Sequence, residues 1–389
     1  MKSSLPYLFS LAVFIASCNS TEKKTAATDT AQTTGVTRRV VVQQHLPKNF
    51  YKRFQGIVGD QNVTINLSRI GNTFTGTLDY NDKQVNLTTD TIITQDSIIL
   101  KESGLANHYE DDYTPEAKLH LKWTGTAFSG LRVGDKQKSS IHLEEKYPDG
   151  SYTFNIAGYS DSLKAFPKKK NSPLAVIEYE YLMPSGHTPP EQWLDEQIKK
   201  ILEVPKKSSS WAAGIKTDAD NYLSAYKTEI KGLGTEVSGP DYTLNYYRTQ
   251  NLYLQYNDNG YAIIKYFINS YSGGAHNNYA TSMHCFDVKN QKRLLLSDVI
   301  AIDSISLQKL VEKNFRIQYK VKSEEALTTQ LFEDHLAAND NFFFNAAGIS
   351  FLYNPYEVAS YAQGQIVVQI SYKDLKKYLN PVFAKRIAN

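Results

Sequence analysis

The chain has 389 residues, 43 Lys and Arg against 40 Asp and Glu, with 41% apolar and 21% charged residues. Such a composition is globular, long enough for two or three domains, and excludes disordered and fibrous classes. The formal charge of +3 shrinks once Lys2 and the pairs Lys23, Lys24, Arg38, Arg39 against Glu22, Asp29 are set aside, leaving near-neutrality, a poor footprint for nucleic acid.

The chain opens Met-Lys-Ser-Ser, then runs apolar from Leu5 to Ser17, which reads as a signal peptide over residues 1–17 and is too short to span a bilayer. Ile15-Ala16-Ser17-Cys18 resembles the lipobox of bacterial lipoproteins. It implies diacylated Cys18 as the mature N-terminus and a membrane anchor outside the cytoplasm. Asn19-Ser20-Thr21-Glu22 carries no strong acidic export signal, so the expected site is the periplasmic face of the outer membrane. Residues 18–46, rich in Thr, Ala, Gln and Lys, read as a flexible tether. With Cys18 lipidated, Cys285 has no intrachain partner. Its alternating context His284-Cys285-Phe286 suggests a buried small hydrophobe, with a catalytic thiol as the sharper alternative.

Residues 47–145 alternate in short runs: Arg53–Val58, Val63–Ile70, Phe74–Tyr80, Gln84–Thr89, Ser97–Lys101, Lys118–Trp123, Phe128–Val133 and Ser139–Glu144. Gly59-Asp60, Gly71-Asn72, Asn81-Asp82 and Gly134-Asp135 mark tight hairpins. The repeated Phe-x-Gly (Phe54-Gln55-Gly56, Phe74-Thr75-Gly76, Phe128-Ser129-Gly130) suits sharply coiled strands, so an all-β meander or small calycin-like barrel is predicted. Its interior is either filled or a cup for one small ligand. His108-Tyr109-Glu110-Asp111-Asp112 offers hard ligands for a metal, but its spacing matches no calcium loop, and an acidic run is usually just solvated. No metal or cofactor is assigned.

Residues 146–171 read as a linker carrying a strand at Tyr152–Ala157. From 172 to 389 helix and strand signals mix. Thr188-Pro189-Pro190-Glu191 starts a helix with a capping box. Further helices are predicted at Asp218–Ile230, Leu307–Tyr319, Glu324–Leu336 and Lys373–Leu379. A hairpin turns at Asn257-Asp258-Asn259-Gly260, and strands fall at Ile349–Tyr353 and Gln365–Ile370. The fold class is α+β, with a mixed or antiparallel sheet and helices on one face.

Two motifs here carry a resemblance. Tyr271-Ser272-Gly273-Gly274-Ala275-His276-Asn277-Asn278 precedes Phe286-Asp287-Val288 and Leu294-Leu295-Leu296-Ser297-Asp298-Val299. The second is Phe351-Leu352-Tyr353-Asn354-Pro355-Tyr356-Glu357-Val358-Ala359-Ser360-Tyr361-Ala362-Gln363-Gly364. Together they resemble the RsiV-type extracytoplasmic domain of unknown function, found in lysozyme-binding anti-sigma factors and beside peptidoglycan deacetylases, over about residues 172–385. The family usually has Pro where Asn277 stands, and no sigma-binding segment is present, so anti-sigma activity does not carry over. What the resemblance implies is a cell-envelope binding module for a lysozyme-like protein or a peptidoglycan fragment. Tyr271, Gly273, Gly274, His276, Asn277, Asn354, Tyr356, Glu357 and Tyr361 are its binding candidates.

Enzyme signatures are missing. There is no Gly-x-Ser-x-Gly, phosphate loop or zinc-protease helix, and Gly232-Leu233-Gly234 lacks the third glycine of a dinucleotide fingerprint. Ser224-x-x-Lys227 and Ser306-x-x-Lys309 lack their companion elements, and His142-Leu143-Glu144 lacks paired cysteines. No catalytic residue is assigned. The alternatives to a binding protein are an envelope hydrolase using His276 with Glu357 or Asp298, and a structural envelope lipoprotein. Of 27 tyrosines, 19 lie from Tyr179 onward and nine between Tyr242 and Tyr279, which suits contact surfaces as well as strand packing.

Overall fold

A computed structural model describes residues 45–105, 117–135, 137–205, 208–232 and 242–387. The leader, Cys18, most of the tether and the acidic run His108–Asp112 lie outside these residues. The chain is α+β.

The first eight strands, β1 (Asn49–Val58), β2 (Gln61–Ile70), β3 (Thr73–Asp79), β4 (Gln84–Thr94), β5 (Ser97–Ser103), β6 (Ala117–Trp123), β7 (Ala127–Gly134) and β8 (Lys138–Glu145), close into a barrel in sequence order. Closure comes from β1 pairing antiparallel with β8, which leaves no free edge. The interior is filled: Phe54, Trp123 and Phe128 pack with ring centroids 5.2–6.2 Å apart, among Leu67, Leu87, Leu119 and Leu143. Leu46, at the expected end of the tether, also enters this core. Its amide donates to Asp96 Oδ1 (2.7 Å).

The Phe-x-Gly repeat has a steric basis. A Cβ on Gly56, Gly76 or Gly130 would sit 1.9, 2.2 or 1.8 Å from the carbonyl oxygens of His142, Asn66 and His120. Only glycine lets neighbouring strands coil this tightly around the aromatic that precedes it by two residues.

The expected linker contains a full edge strand, β9 (Phe154–Lys164), paired with β10 (Leu174–Pro184). Two helices follow, α1 (Pro189–Ile201) and α2 (Trp211–Gly232), and then β11 (Tyr246–Asp258), β12 (Tyr261–Tyr271), β13 (Asn278–Asp287) and the short β14 (Lys292–Arg293). The sheet order is β14-β13-β12-β11-β10-β9. Only β10 and β11 run parallel, because the two helices supply the crossover that parallel strands need. α1 begins at Thr188, whose N–H donates to Glu191 Oε2 (3.1 Å), as the capping box predicts. Both helices cover one sheet face through Leu194, Ile198, Ala219 and Leu223.

The opposite face meets the C-terminal elements: α3 (Leu296–Val299), α4 (Ser304–Gln318), a three-stranded sheet of β15 (Phe342–Phe344), β16 (Gly348–Tyr353) and β17 (Ile366–Ser371), then α5 (Tyr372–Leu375) and α6 (Pro381–Ile387). The predicted helix Glu324–Leu336 does not form; a single 3-10 turn, Leu327–Thr329, stands in its place. Leu327, Leu331 and Leu336 still enter the core. Side chains supply the hydrogen bonds instead. Asp334 Oδ1 accepts from the Leu327 amide (2.6 Å), Glu312 Oε1 from the Leu336 amide (3.0 Å), and Arg316 Nη1 donates to the Glu325 carbonyl (2.7 Å). Cys285 is buried, and burial pushes its thiol pKa up, which suits packing and not nucleophilic chemistry.

Replacing Gly130 by Ala should destabilise the protein by about 1–3 kcal/mol, the usual cost of overpacking. A denaturant midpoint unchanged from wild type would show that strand approach at Gly130 is not limiting.

Candidate functional site

The nine residues singled out from sequence meet in one region, at the end of β12 and β13 away from the Asn257–Gly260 hairpin. The two motif loops meet there for a reason found on β13. β14 pairs only with Phe286 and Asp287, which leaves the rest of that β13 edge without a strand partner. Two asparagine side chains take its place. Asn354 Oδ1 accepts from the Thr281 amide (2.7 Å) while Asn354 Nδ2 donates to the Thr281 carbonyl (3.1 Å). Asn341 Oδ1 accepts from the Met283 amide (2.8 Å), and its Nδ2 also donates to the Thr281 carbonyl (2.9 Å). Buried Gln365 completes the network, donating to Thr281 Oγ1 (2.8 Å) and Asn354 Oδ1 (2.9 Å). Asn341 and Gln365 were not legible as site residues; they flank the second motif but carry no distinctive pattern.

With Asn354 stitched to β13, the residues after it swing over the first motif loop. Tyr356 takes a left-handed backbone (φ 68°), unusual for an aromatic residue, and its ring is 56% exposed. His276, Tyr356 and Tyr361 form a triangle of rings, the two tyrosines 5.8 Å apart. Its ring stacks on Tyr361 (centroids 4.1 Å apart, 27°) and faces Tyr356 at 6.4 Å and 30°. Tyr279 meets Tyr361 edge-on at 5.6 Å. The Tyr361 hydroxyl donates to Asn277 Oδ1 (3.0 Å), and Asn277 Nδ2 donates to Asn269 Oδ1 (2.7 Å). His276 Nδ1 lies 2.7 Å from the Asn277 carbonyl, which can only accept, so the proton sits on Nδ1 and Nε2 faces the Tyr356 hydroxyl at 3.4 Å.

Gly273 and Gly274 both have positive φ (93° and 100°), the freedom this turn needs. The Tyr271 hydroxyl closes the turn on the Gly274 carbonyl (2.9 Å), and Tyr271 stacks against Tyr247. Glu357 stands apart from this ring cluster: it accepts from Asn354 Nδ2 (3.0 Å).

The result is a platform of stacked rings with fixed orientation, ringed by amides. It holds no acid–base pair. Among the described residues no carboxylate hydrogen-bonds or ion-pairs with His276. Asp298 is taken by Lys292 (2.6 Å) and the Leu295 amide (2.9 Å). A proton-transfer dyad needs groups within hydrogen-bond reach, and the structure does not bring His276 together with Glu357 or Asp298 as such a pair. Among the described residues no cluster of His, Cys, Asp and Glu could hold a metal ion, and no helix is long and apolar enough to cross a membrane.

The sequence model of DUF3298, a protein family of unknown function, matches residues 297–373. The match takes in Asn354, Tyr356, Glu357 and Tyr361 but begins after the His276 loop. The fold is similar to the crystal structure of a DUF3298 family member from Bacteroides fragilis, at 21% identity and a TM-score of 0.54, covering 61% of this chain and 99% of that one. A DUF3298 family structure from Pseudomonas aeruginosa aligns at 16% identity and a TM-score of 0.42, over 60% of this chain and 98% of that one. No curated protein matches the chain.

Asn354→Ala should cost about 1–3 kcal/mol, because it strips the buried Thr281 amide of its acceptor. Hydrogen exchange should show lost protection at Thr281 ahead of global unfolding. Unchanged protection there would remove the stitching role.

Proposed function

We propose that this chain is a lipid-anchored cell-envelope protein that binds its partner, a peptidoglycan fragment or a lysozyme-like protein, through the His276–Tyr356–Tyr361 platform. The observation that carries the reading is the pre-organised exposed ring stack. Tyrosine gives broad contact area at low entropic cost, and here Tyr361 is already fixed by Asn277, His276 and Tyr279 before any partner arrives. Holding Tyr356 in a left-handed backbone costs about 1–3 kcal/mol, a strain more often found where a residue has a task than where it merely packs. Of the two partners, the glycan suits the geometry better, since flat ring faces beside the Asn277 amide offer stacking together with polar contacts. The RsiV-type resemblance of the two motif loops supports the same choice of envelope partners.

Calorimetric titration of the purified protein with soluble muropeptides, and separately with lysozyme, tests the reading. Tyr356→Ala should weaken binding at least about tenfold, as loss of a central aromatic anchor does, with little change in thermal midpoint. No heat with either partner at high micromolar concentration overturns the platform's role. Anchoring is tested separately. Cys18→Ser should move the protein from the membrane to the soluble fraction and abolish a lipid-modified N-terminus in mass spectra. Unaltered fractionation would refute lipidation at Cys18.

A further inference from the structure

A second feature lies where the outer wall of the barrel faces the six-stranded sheet. The pleat of β2, β3 and β4 sends their apolar residues into the barrel and turns small polar ones outward. Register aligns these into two rows, Ser68–Thr75–Thr88 and Asn66–Thr77–Asn86–Ser103. Opposite stands the sheet face carrying Tyr253 on β11 and Lys265 and Phe267 on β12, with Tyr253 and Lys265 directly paired across the strands. Between the walls is a cavity of about 180 Å³ lined by both sets of residues.

The lining is asymmetric. One wall is hydroxyl and amide; the other is two aromatic rings and one amine. Lys265 Nζ lies 6.0 Å from the Tyr253 ring centroid and makes no hydrogen bond or ion pair among the described residues. The hydroxyls of Ser68, Thr75, Thr88 and Ser103, which line the same cavity, likewise have no protein partner among the described residues. Nearby amides are already engaged: Asn66 Oδ1 accepts from the Tyr51 hydroxyl (2.9 Å), Gln255 Nε2 donates to Gln84 Oε1 (2.6 Å), and Asn86 Nδ2 donates to the Gly104 carbonyl (2.7 Å). No carboxylate and no second cation lines the cavity. A lone ammonium surrounded by protein is costly unless it meets an anion or water. Four free hydroxyls facing a pair of rings form the complement of a polyol with an apolar face.

We infer that this cleft binds a small polyhydroxylated carboxylate, the size of a single sugar acid, with its carboxylate on Lys265, its ring against Tyr253 and Phe267, and its hydroxyls on the Ser68–Thr75–Thr88 row. The volume, below the roughly 300–1,000 Å³ of drug-sized sites, restricts the occupant to that scale. The site shares no residue with the aromatic platform, so its test stands whatever becomes of the muropeptide experiment.

The charge on the amine sets the pH behaviour. Burial lowers the Lys265 pKa to about 8. The titratable groups on its own face are Tyr253, whose hydroxyl is held neutral by burial, Glu180 on β10, which acts on Tyr253, Glu178 next to it, and the Tyr247–Tyr271 pair further along; desolvation alone moves Lys265. The barrel wall that lines the cavity contributes none. The ammonium is therefore present below pH 8 and lost above it, so carboxylate binding should be full near neutrality and fall as pH rises past that point.

Glucuronate is the probe, with glucose as its uncharged counterpart, followed by ligand-observed NMR and calorimetry on the full chain. We expect glucuronate to bind at neutral pH, glucose to bind more weakly, and Lys265→Met and Thr75→Val each to reduce glucuronate affinity, the former at least about tenfold. Lys265→Met should keep or raise the thermal midpoint, since it removes an unpaired amine without opening space, so loss of binding is not loss of fold. The inference is overturned if glucuronate gives no signal at tens of millimolar, if Lys265→Met leaves its affinity unchanged, or if glucose binds as tightly.

Discussion

The arrangement of the molecule turns on one buried cation. Arg53, on β1, is wholly excluded from solvent, yet its guanidinium reaches out of the barrel to the β11–β12 hairpin. Nε donates to the Asn257 carbonyl (3.1 Å), Nη2 to Asp258 Oδ2 (2.5 Å), and Nη1 to the Lys146 carbonyl (3.0 Å). An arginine buried this deeply is tolerable only with such complete pairing, and truncating either partner would strand a charge. From the other side Arg386 of α6 donates to the Asn259 carbonyl (Nη2, 2.7 Å) and to Asp287 Oδ2 (2.5 Å), its guanidinium lying 3.8 Å over the Tyr261 ring. The β11–β12 hairpin is thus clamped between β1 and α6.

That clamp fixes where the barrel sits on the sheet, and with it two consequences. Close to the hairpin, Gln84 and Gln255 lock together: Gln84 Nε2 donates to the Gln255 carbonyl (3.1 Å) and Gln255 Nε2 to Gln84 Oε1 (2.6 Å). Further along the same face the walls part, giving the Lys265 cleft. At the far end, the Asn354 stitch carries the second motif loop over the first. One sheet face therefore passes from amide-locked junction to polar cleft to open aromatic platform, each stretch set by what packs against it.

What sequence makes legible is what neighbouring residues decide among themselves. The barrel shows because hairpin dipeptides and Phe-x-Gly act locally: Gly56, Gly76 and Gly130 each touch a carbonyl on an adjoining strand. The α1 start shows because Thr188 and Glu191 meet within one turn. Glu324–Leu336 misleads because helical spacing of leucines specifies burial but not hydrogen bonding, and Asp334, Glu312 and Arg316 offered the backbone other partners. Asn354 reads as a turn former before proline, whereas its amide acts as a surrogate strand for a residue 73 positions away. The tyrosine excess divides in the same way. Tyr179, Tyr226, Tyr246 and Tyr266 are packing residues whose hydroxyls bond to Asp218, the Leu244 carbonyl, Glu229 and Gln250. Among the described tyrosines only Tyr356 stands out as a large exposed ring.

Sequences that specify one structure satisfy their local rules nearly everywhere, and exceptions concentrate where a protein does something else. Arg53, for all its burial, is no exception, because every direction of its guanidinium is met. Lys265 and Tyr356 are exceptions. The first is a partly buried amine without a counter-charge among the described residues; the second is an aromatic residue in a backbone region that favours glycine. Neither helps to hold the fold, since a methionine would fill the first position and a glycine would relax the second. Both lie along the one face that the barrel and the C-terminal sheet leave partly open. A purely structural role leaves the cost of both unexplained, and that is the ground on which ligand binding along this face is proposed.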